Sequence, residues 1–582
     1  MTDVLPAAPE PESATNLDRL IRARLGRFSL GLSPPGLLLV YLDWLVHLGF
    51  SPGKQYLLLT KFARKAAKFS LYAARSAVDP GTPPVIDPLP QDHRFDDPAW
   101  RQWPFNLYYQ SFLFFQQWWD NATTGVHGVS KHHEAVASFT ARQIVDLFAP
   151  ANFAWSNPEI LRTTLQEGGV NLVRGMLNLT DDLARQLEGR RPAGTEQFRV
   201  GSEVAATPGR VVLRNRLVEL IQYAPTTDSV HAEPILIIPA WIMKYYILDL
   251  SPQNSLVRYL VSQGHTVFMV SWRNPGPEDR DLAMDDYLRL GVMDALAAVS
   301  AIVPERKIHV AGYCLGGTLL AIAAAAMARD GDARLATLTL LAAQTDFHEA
   351  GELMLFIDET EVTFLEDMMW DQGFLDTKDM AGAFQLLRST DLIWSRLVHD
   401  YLLGQRQPLT DLMAWNADAT RMPYRMHSEY LRRLYLNNEL AEGKYVVGSR
   451  PVTLTDIRVP ILAVGTEKDH VAPWPSVYKL HLLTDSDVTF ILTNGGHNAG
   501  IVSEPGHLHR HYQISVRHAL EPYVDPEQWR ERMPVIDGSW WPAWQAWIAS
   551  HSSSKVAPPP LGDSAHSYPA IAPAPGSYVL MP

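Results

Sequence analysis

Cysteine is almost missing from this chain: one occurs in 582 residues, at position 314. No intrachain disulfide can form, and a metal site built on several thiolates is excluded. Basic charge is also in short supply. The 50 Lys and Arg residues face 63 Asp and Glu, a net charge of −13, which is the reverse of the basic surface that nucleic-acid binding needs. No uncharged apolar run reaches the ~18–20 residues that cross a bilayer. The opening stretch, MTDVLPAAPEPESATNLDRL, is acidic and polar and lacks the basic-then-apolar order of a secretory leader, so a cytoplasmic location is expected. What the chain does have is apolar residues, 47% against 19% charged, enough to bury a large core.

The chain changes texture several times. Residues 1–16 read as disordered, within a flexible, amphipathic lead over 1–90. Part of that lead, KQYLLLTKFARKAAKFSLYAARSAV (54–78), carries Lys61, Arg64, Lys65, Lys68 and Arg75. Such a helix either packs on the domain behind it or lies on an apolar interface. Residues 91–200 read as a helical domain, dense with aromatics in PFNLYYQSFLFFQQWWDN (104–121). From 201 onward short apolar runs alternate with helical stretches: PILIIP, HTVFMVSW, KIHVAGY, LATLTLLAAQ, VPILAVGT and DVTFILT. That alternation predicts a parallel sheet covered on both faces, in two parts, 201–345 and 456–548. The intervening 346–455 is helical and aromatic, and an insertion there would cap the carboxyl ends of the strands. The Pro/Ala/Ser-rich tail, 549–582, is expected to be disordered.

The chemistry gathers at Gly312-Tyr313-Cys314-Leu315-Gly316-Gly317. A β run precedes this motif and a helix-forming stretch, TLLAIAAAAMAR, follows it. This is the strand–turn–helix context of a nucleophile elbow with Cys in place of Ser, which predicts an α/β-hydrolase core. Gly312, Gly316 and Gly317 leave room for a tight turn, and the helix N-terminus favours the thiolate. The fold supplies its partners in the order nucleophile, acid, His. Asp469 follows the VPILAVGT run and is expected to orient the base. His497 follows DVTFILT in a glycine-rich loop and is expected to be the base. Asp346, after LATLTLLAAQ, is a rival acid. Oxyanion donors are expected from the backbone N–H of Leu315 and of Trp241, in the loop after PILIIP. His507, His509 and His511 alternate as metal ligands could, but they and the pair His132 and His133 read better as solvated histidines; no metal and no cofactor is expected.

With these residues in hand, the chain resembles the polyhydroxyalkanoate synthases, especially class I enzymes. The resemblance runs from about 88 to 545 and rests on DHRFDDPAWRQWPF (92–105), GYCLGGT (312–318), WNADATRMP (415–423), KDHVAPW (468–474), GGHNAG (495–500) and GSWWPAW (538–544). It implies polymerisation of (R)-3-hydroxyacyl-CoA, such as 3-hydroxybutyryl-CoA, with release of CoA, at the surface of polyester granules. It places the catalytic Cys, Asp and His on Cys314, Asp469 and His497. A homodimer is among the assemblies it allows. Two positions depart from the family pattern: Met243 replaces an Asn, and Asn498 follows the His where an aliphatic residue is usual. The alternatives are a Cys-type thioesterase or polyester depolymerase of the same fold, and a granule-coat protein without activity.

Overall fold

The computed structural model describes residues 12–29, 31–377, 387 and 389–582. The chain divides into two compact units, one of Gly26–Ala193 with Lys378–Pro408, the other of Met1–Leu25, Gly194–Thr377 and Leu409–Pro582. Helix α1 (Glu12–Phe28) occupies residues that were expected to be disordered up to position 16; residues 1–11 lie outside the described residues. Arg19 and Arg22 on α1 pair with buried Asp367 at 3.5 and 3.0 Å.

The first unit is helical: α2 (Pro34–Gly49), α3 (Pro52–Ser76), α4 (Phe105–Thr123), α5 (Lys131–Leu147) and α6 (Val170–Leu187). Ser33 and Ser130 cap α2 and α5 by accepting first-turn N–H groups. The aromatic α4 supplies the core, where Tyr109, Phe112 and Leu113 meet Phe95 and Trp100. Arg94 is buried beside them, and its charge is met by Asp92 at 2.8 Å and Asp146 at 2.9 Å. The basic side chains of α3 turn inward more than its periodicity suggests. Lys54 bonds the carbonyl of Thr124, Lys65 bonds Gln117 and Lys61 bonds Asn121. All three lie along the C-terminal half of α4, where positive charge complements the helix dipole. Beside and beyond these lysines α3 shows Tyr56, Leu57, Leu59 and Phe62 to solvent, each more than half exposed.

The second unit is built on one eleven-stranded sheet. Its strands are β1 (Gly209–Arg214), β2 (Val218–Tyr223), β3 (Ile235–Ile238), β4 (Val267–Trp272), β5 (Ile308–Tyr313), β6 (Leu335–Leu341), β7 (Ile461–Thr466), β8 (Val488–Thr493), β9 (His511–Arg517), β10 (Ile536–Asp537) and β11 (Ala572–Pro573). They lie in the order β10-β9-β8-β7-β6-β5-β3-β4-β2-β1-β11. The six apolar runs are β3 to β8, and these pair in parallel. The other strands are antiparallel additions at the two sides. This is an α/β-hydrolase core with a helical N-terminal region. No helix among the described residues is long and apolar enough to cross a membrane.

Two expectations need correction. The tail 549–582 is ordered. Val556 bridges to Val230, and β11 pairs with β1 through Arg210–Pro573 and Val211–Ala572. Buried Glu219 accepts the Ser577 N–H at 2.8 Å, the Ser577 hydroxyl at 2.9 Å and the Tyr578 N–H at 2.9 Å. A Pro/Ala-rich segment cannot build a core, but here it needs only a ready-made sheet edge and a buried carboxylate short of donors. The segment 346–455, in turn, is not one body. Its flanks belong with the sheet, whereas Lys378–Pro408 belongs with the helices. There Arg406 pairs with Asp181 and Asp182 of α6 at 3.0 and 2.9 Å. Residues 378–386 and 388 of that stretch lie outside the described residues.

Candidate active site

β5 ends at Tyr313 and helix α7 (Leu315–Arg329) begins two residues later. Cys314 makes the turn between them with φ 52° and ψ −125°, a strained conformation for a residue with a Cβ. Its own N–H is tied to the Leu341 carbonyl at 2.9 Å. Gly316 is forced by close approach: a Cβ there would run into the carbonyls of Ile238 and Pro239. That contact sets the start of α7 against the end of β3 and the loop behind it. The same loop is held from its other side, where Thr420 donates its N–H to the Ile242 carbonyl at 3.0 Å and its hydroxyl to that of Trp241. Met243 forms a bridge with Ala419. Leu315 and Trp241, the two residues expected to supply oxyanion donors, therefore stand on adjoining segments.

His497 lies in the loop after β8. Gly500 donates its N–H to the Gly496 carbonyl at 2.7 Å, closing the turn around it. Helix α8 (Trp541–Ser550) and its cap residue Trp540 clamp the loop from behind. The Trp540 indole donates to the Gly500 carbonyl and the Trp541 indole to that of Ile501, both at 3.0 Å. His497 Nδ1 is 2.7 Å from Asp469 Oδ2, and Cys314 is near enough to act on the charge of the imidazole. The remaining acceptor sites of Asp469 are filled by the N–H groups of Val471 and Ala472, at 2.9 and 2.8 Å, and by the Thr466 hydroxyl at 3.0 Å. Burial opposes the charge on Asp469, but His497 and these donors outweigh it and hold the carboxyl below its usual range. Burial opposes the charge on His497 too, yet Asp469 and the Cys314 sulfur raise its pKa well above the usual value. Such a chain can take a proton from a thiol, hold it on an imidazole and return it to a leaving group.

The other candidates are engaged elsewhere. Asp346 accepts the His348 N–H at 2.9 Å and faces Asn438 and Lys479. His507 pairs with Glu504, His511 with Glu467, and His133 with Asp43 at 2.6 Å. Among the described residues no group of three His, Cys, Asp or Glu gathers as metal ligands would. Sequence reasoning passed over buried Tyr435 and part-buried Tyr430, whose pKa values desolvation raises, with Cys314 adding to the rise. The aromatic texture of 345–455 was the available signal. The supporting role of Trp540 and Trp541 carries no signal that periodicity could find.

Comparison with known proteins agrees with this architecture. Residues 91–260 match the family described as Poly-beta-hydroxybutyrate polymerase (PhaC) N-terminus, residues 12–54 match Poly-beta-hydroxybutyrate polymerase N terminal, and residues 233–504 match the alpha/beta hydrolase fold. A solved monoacylglycerol lipase of Paleococcus ferrophilus aligns over 58% of this chain and 99% of its own at 12% identity, with a TM-score of 0.31. The poly(3-hydroxyalkanoate) polymerase subunit PhaC of Cupriavidus necator is 38% identical over 511 residues, 86% of this chain and 85% of that one. The poly(3-hydroxyalkanoate) polymerase of Methylorubrum extorquens is 42% identical over 504 residues, 86% of this chain and 82% of that one. Matched at this level along most of its length, and built on a cysteine elbow, the chain belongs to the poly(3-hydroxyalkanoate) polymerases, a family of polymer-forming acyltransferases.

Proposed function

We propose that this enzyme joins (R)-3-hydroxyacyl groups, 3-hydroxybutyryl first among them, from their CoA thioesters into polyester by covalent catalysis at Cys314. The observation that carries the reading is the Asp469–His497 hydrogen bond at the strand ends, with Cys314 in the elbow beside it. His497 takes the thiol proton as sulfur attacks the thioester carbonyl carbon. The carbon–sulfur bond to CoA breaks, and CoA leaves with that proton. The 3-hydroxyl of a second monomer then attacks the acyl-Cys314 carbonyl, giving its proton to His497. An ester bond forms, the bond to Cys314 breaks, and the thiolate recovers the proton. The N–H groups of Leu315 and Trp241 receive the oxyanion at each stage. Transfer between thioesters is nearly isoenergetic, and the more stable ester draws the chain forward.

The product is insoluble, so the enzyme works at a granule surface. The exposed apolar side chains of α2 and α3, with Arg64, Lys68 and Arg75 on the outward face, suit such a surface by buried apolar area and attraction to anionic coats. The test is purified protein with 3-hydroxybutyryl-CoA, following CoA release and polymer together. CoA release matched by polymer is expected; stoichiometric free 3-hydroxy acid without polymer would make the enzyme a thioesterase instead.

A further inference from the structure

Tyr313 and Asn498 flank the reacting pair in sequence, one just before Cys314 and one just after His497. The structure joins them. The Tyr313 hydroxyl donates to Asn498 Oδ1 at 2.6 Å, and Asn498 Nδ2 reaches Asn416 Oδ1 at 3.3 Å. Tyr313 is 2% exposed, and its ring lies 5.6 Å from that of His497. The Asn498 carbonyl also accepts the N–H groups of Ile501 and Val502, at 3.1 and 3.0 Å. One residue therefore ties the elbow, the His loop and the helix Asp411–Asn416 to one another.

We propose that Asn498 is a positioning residue that sets the Cys314–His497 geometry by accepting the buried Tyr313 hydroxyl. The inference deepens the reading of Cys314 and His497 as nucleophile and base, and rests on it. An aliphatic side chain at 498 removes the acceptor and strands a hydroxyl in the core, where an unmet donor is costly. The strain falls on the two segments whose separation decides proton transfer. Removing both partners removes the conflict, so the two positions are coupled and their effects do not add.

Cys314 is the only thiol in the chain, so alkylation of the full-length protein by iodoacetamide reports on it alone. Asn498→Leu should slow alkylation at neutral pH about 30-fold and move its pH profile. Tyr313→Phe, which deletes only an oxygen and leaves the half-exposed Asn498 to water, should slow it about 3-fold. The double variant Tyr313→Phe/Asn498→Leu should return to the level of Tyr313→Phe. In turnover, Asn498→Leu should lower kcat for CoA release and leave KM within about twofold. Wild-type alkylation rates in Asn498→Leu, or a double variant no faster than Asn498→Leu, would overturn the proposal. Should Asn498→Leu not fold, a Tyr313→Phe profile identical to wild type overturns it alone. Failure of the wild type to release CoA from 3-hydroxybutyryl-CoA would instead strike the proposed reaction, and the alkylation rates would still judge the coupling.

Discussion

Cys314 has a steric cost in its φ of 52° and no substitute elsewhere in the chain. Cys314→Ala should abolish CoA release while leaving the fold intact, because one methyl replaces one thiol; residual activity above a few per cent would sink the thiol mechanism. Cys314→Ser should be nearly as inactive, since a hydroxyl needs a stronger base than this site provides. Asp469 separates the two half-reactions. A thiol gives up its proton readily and a 3-hydroxyl does not, so Asp469→Asn should slow the first CoA release about 10-fold and elongation about 100-fold or more. Rapid-quench measurement of the first turnover beside steady-state polymer yield separates them. A harmless Asp469→Asn together with a damaging Asp346→Asn would reverse the assignment, although Asp346 lies in a different set of contacts.

At the scale of elements, two indoles back the loop that carries His497. Trp540→Phe keeps the ring and deletes the donor to Gly500. It should cost about 1 kcal/mol of stability but slow CoA release about 10-fold, because the loss falls on a catalytic loop. Equal, small losses in both would reduce the clamp to ordinary packing. The outward face of α3 is the converse case, a surface with no catalytic duty. Changing Leu57, Leu59 and Phe62 together to Ser should lower the granule-bound fraction severalfold and leave CoA release unchanged; unaltered fractionation would assign the face to plain exposure. The strands show what a sequence can disclose. β3 to β8 are buried along almost their whole length, so each is a largely apolar run, and the elbow, the acid and the His follow from their ends. β2 was missed because VELIQY buries Glu219 and Gln222 among its apolar residues. β9 was missed because HYQISVR is half-exposed and His511, at its start, drew attention as a ligand. The inward lysines of α3 were illegible for another reason: their partners lie about 50–70 residues away, on and just beyond α4.

The whole molecule carries a hidden acid sensitivity. Burial lowers His265 to about 3 and His309, His427 and His481 to about 4. His265 also stacks on His231 with ring centroids 4.4 Å apart, where two positive charges would collide. These folded values lie below the unfolded ~6.5, so between them the unfolded chain binds more protons and stability rises with pH. Lowering pH from 6.5 to 5 should cost about 1.5 kcal/mol per histidine, roughly 6 kcal/mol for the four. The urea midpoint at fixed ionic strength reads this directly, and a flat midpoint across that interval would refute it. The ordered tail sets a second expectation. Deleting residues 571–582 would leave Glu219 buried with Arg214, 2.7 Å away, in place of its tail donors. A loss of about 3–5 kcal/mol is expected, partly recovered by Glu219→Gln in the truncated chain; an unchanged midpoint would make the tail an ornament. The same seam has a consequence in time. Val211 of β1 waits for Ala572, 361 positions later. At ~5–20 residues per second on the ribosome, that is roughly 20–70 s during which the nascent chain displays an unpaired edge to its neighbours on the same message.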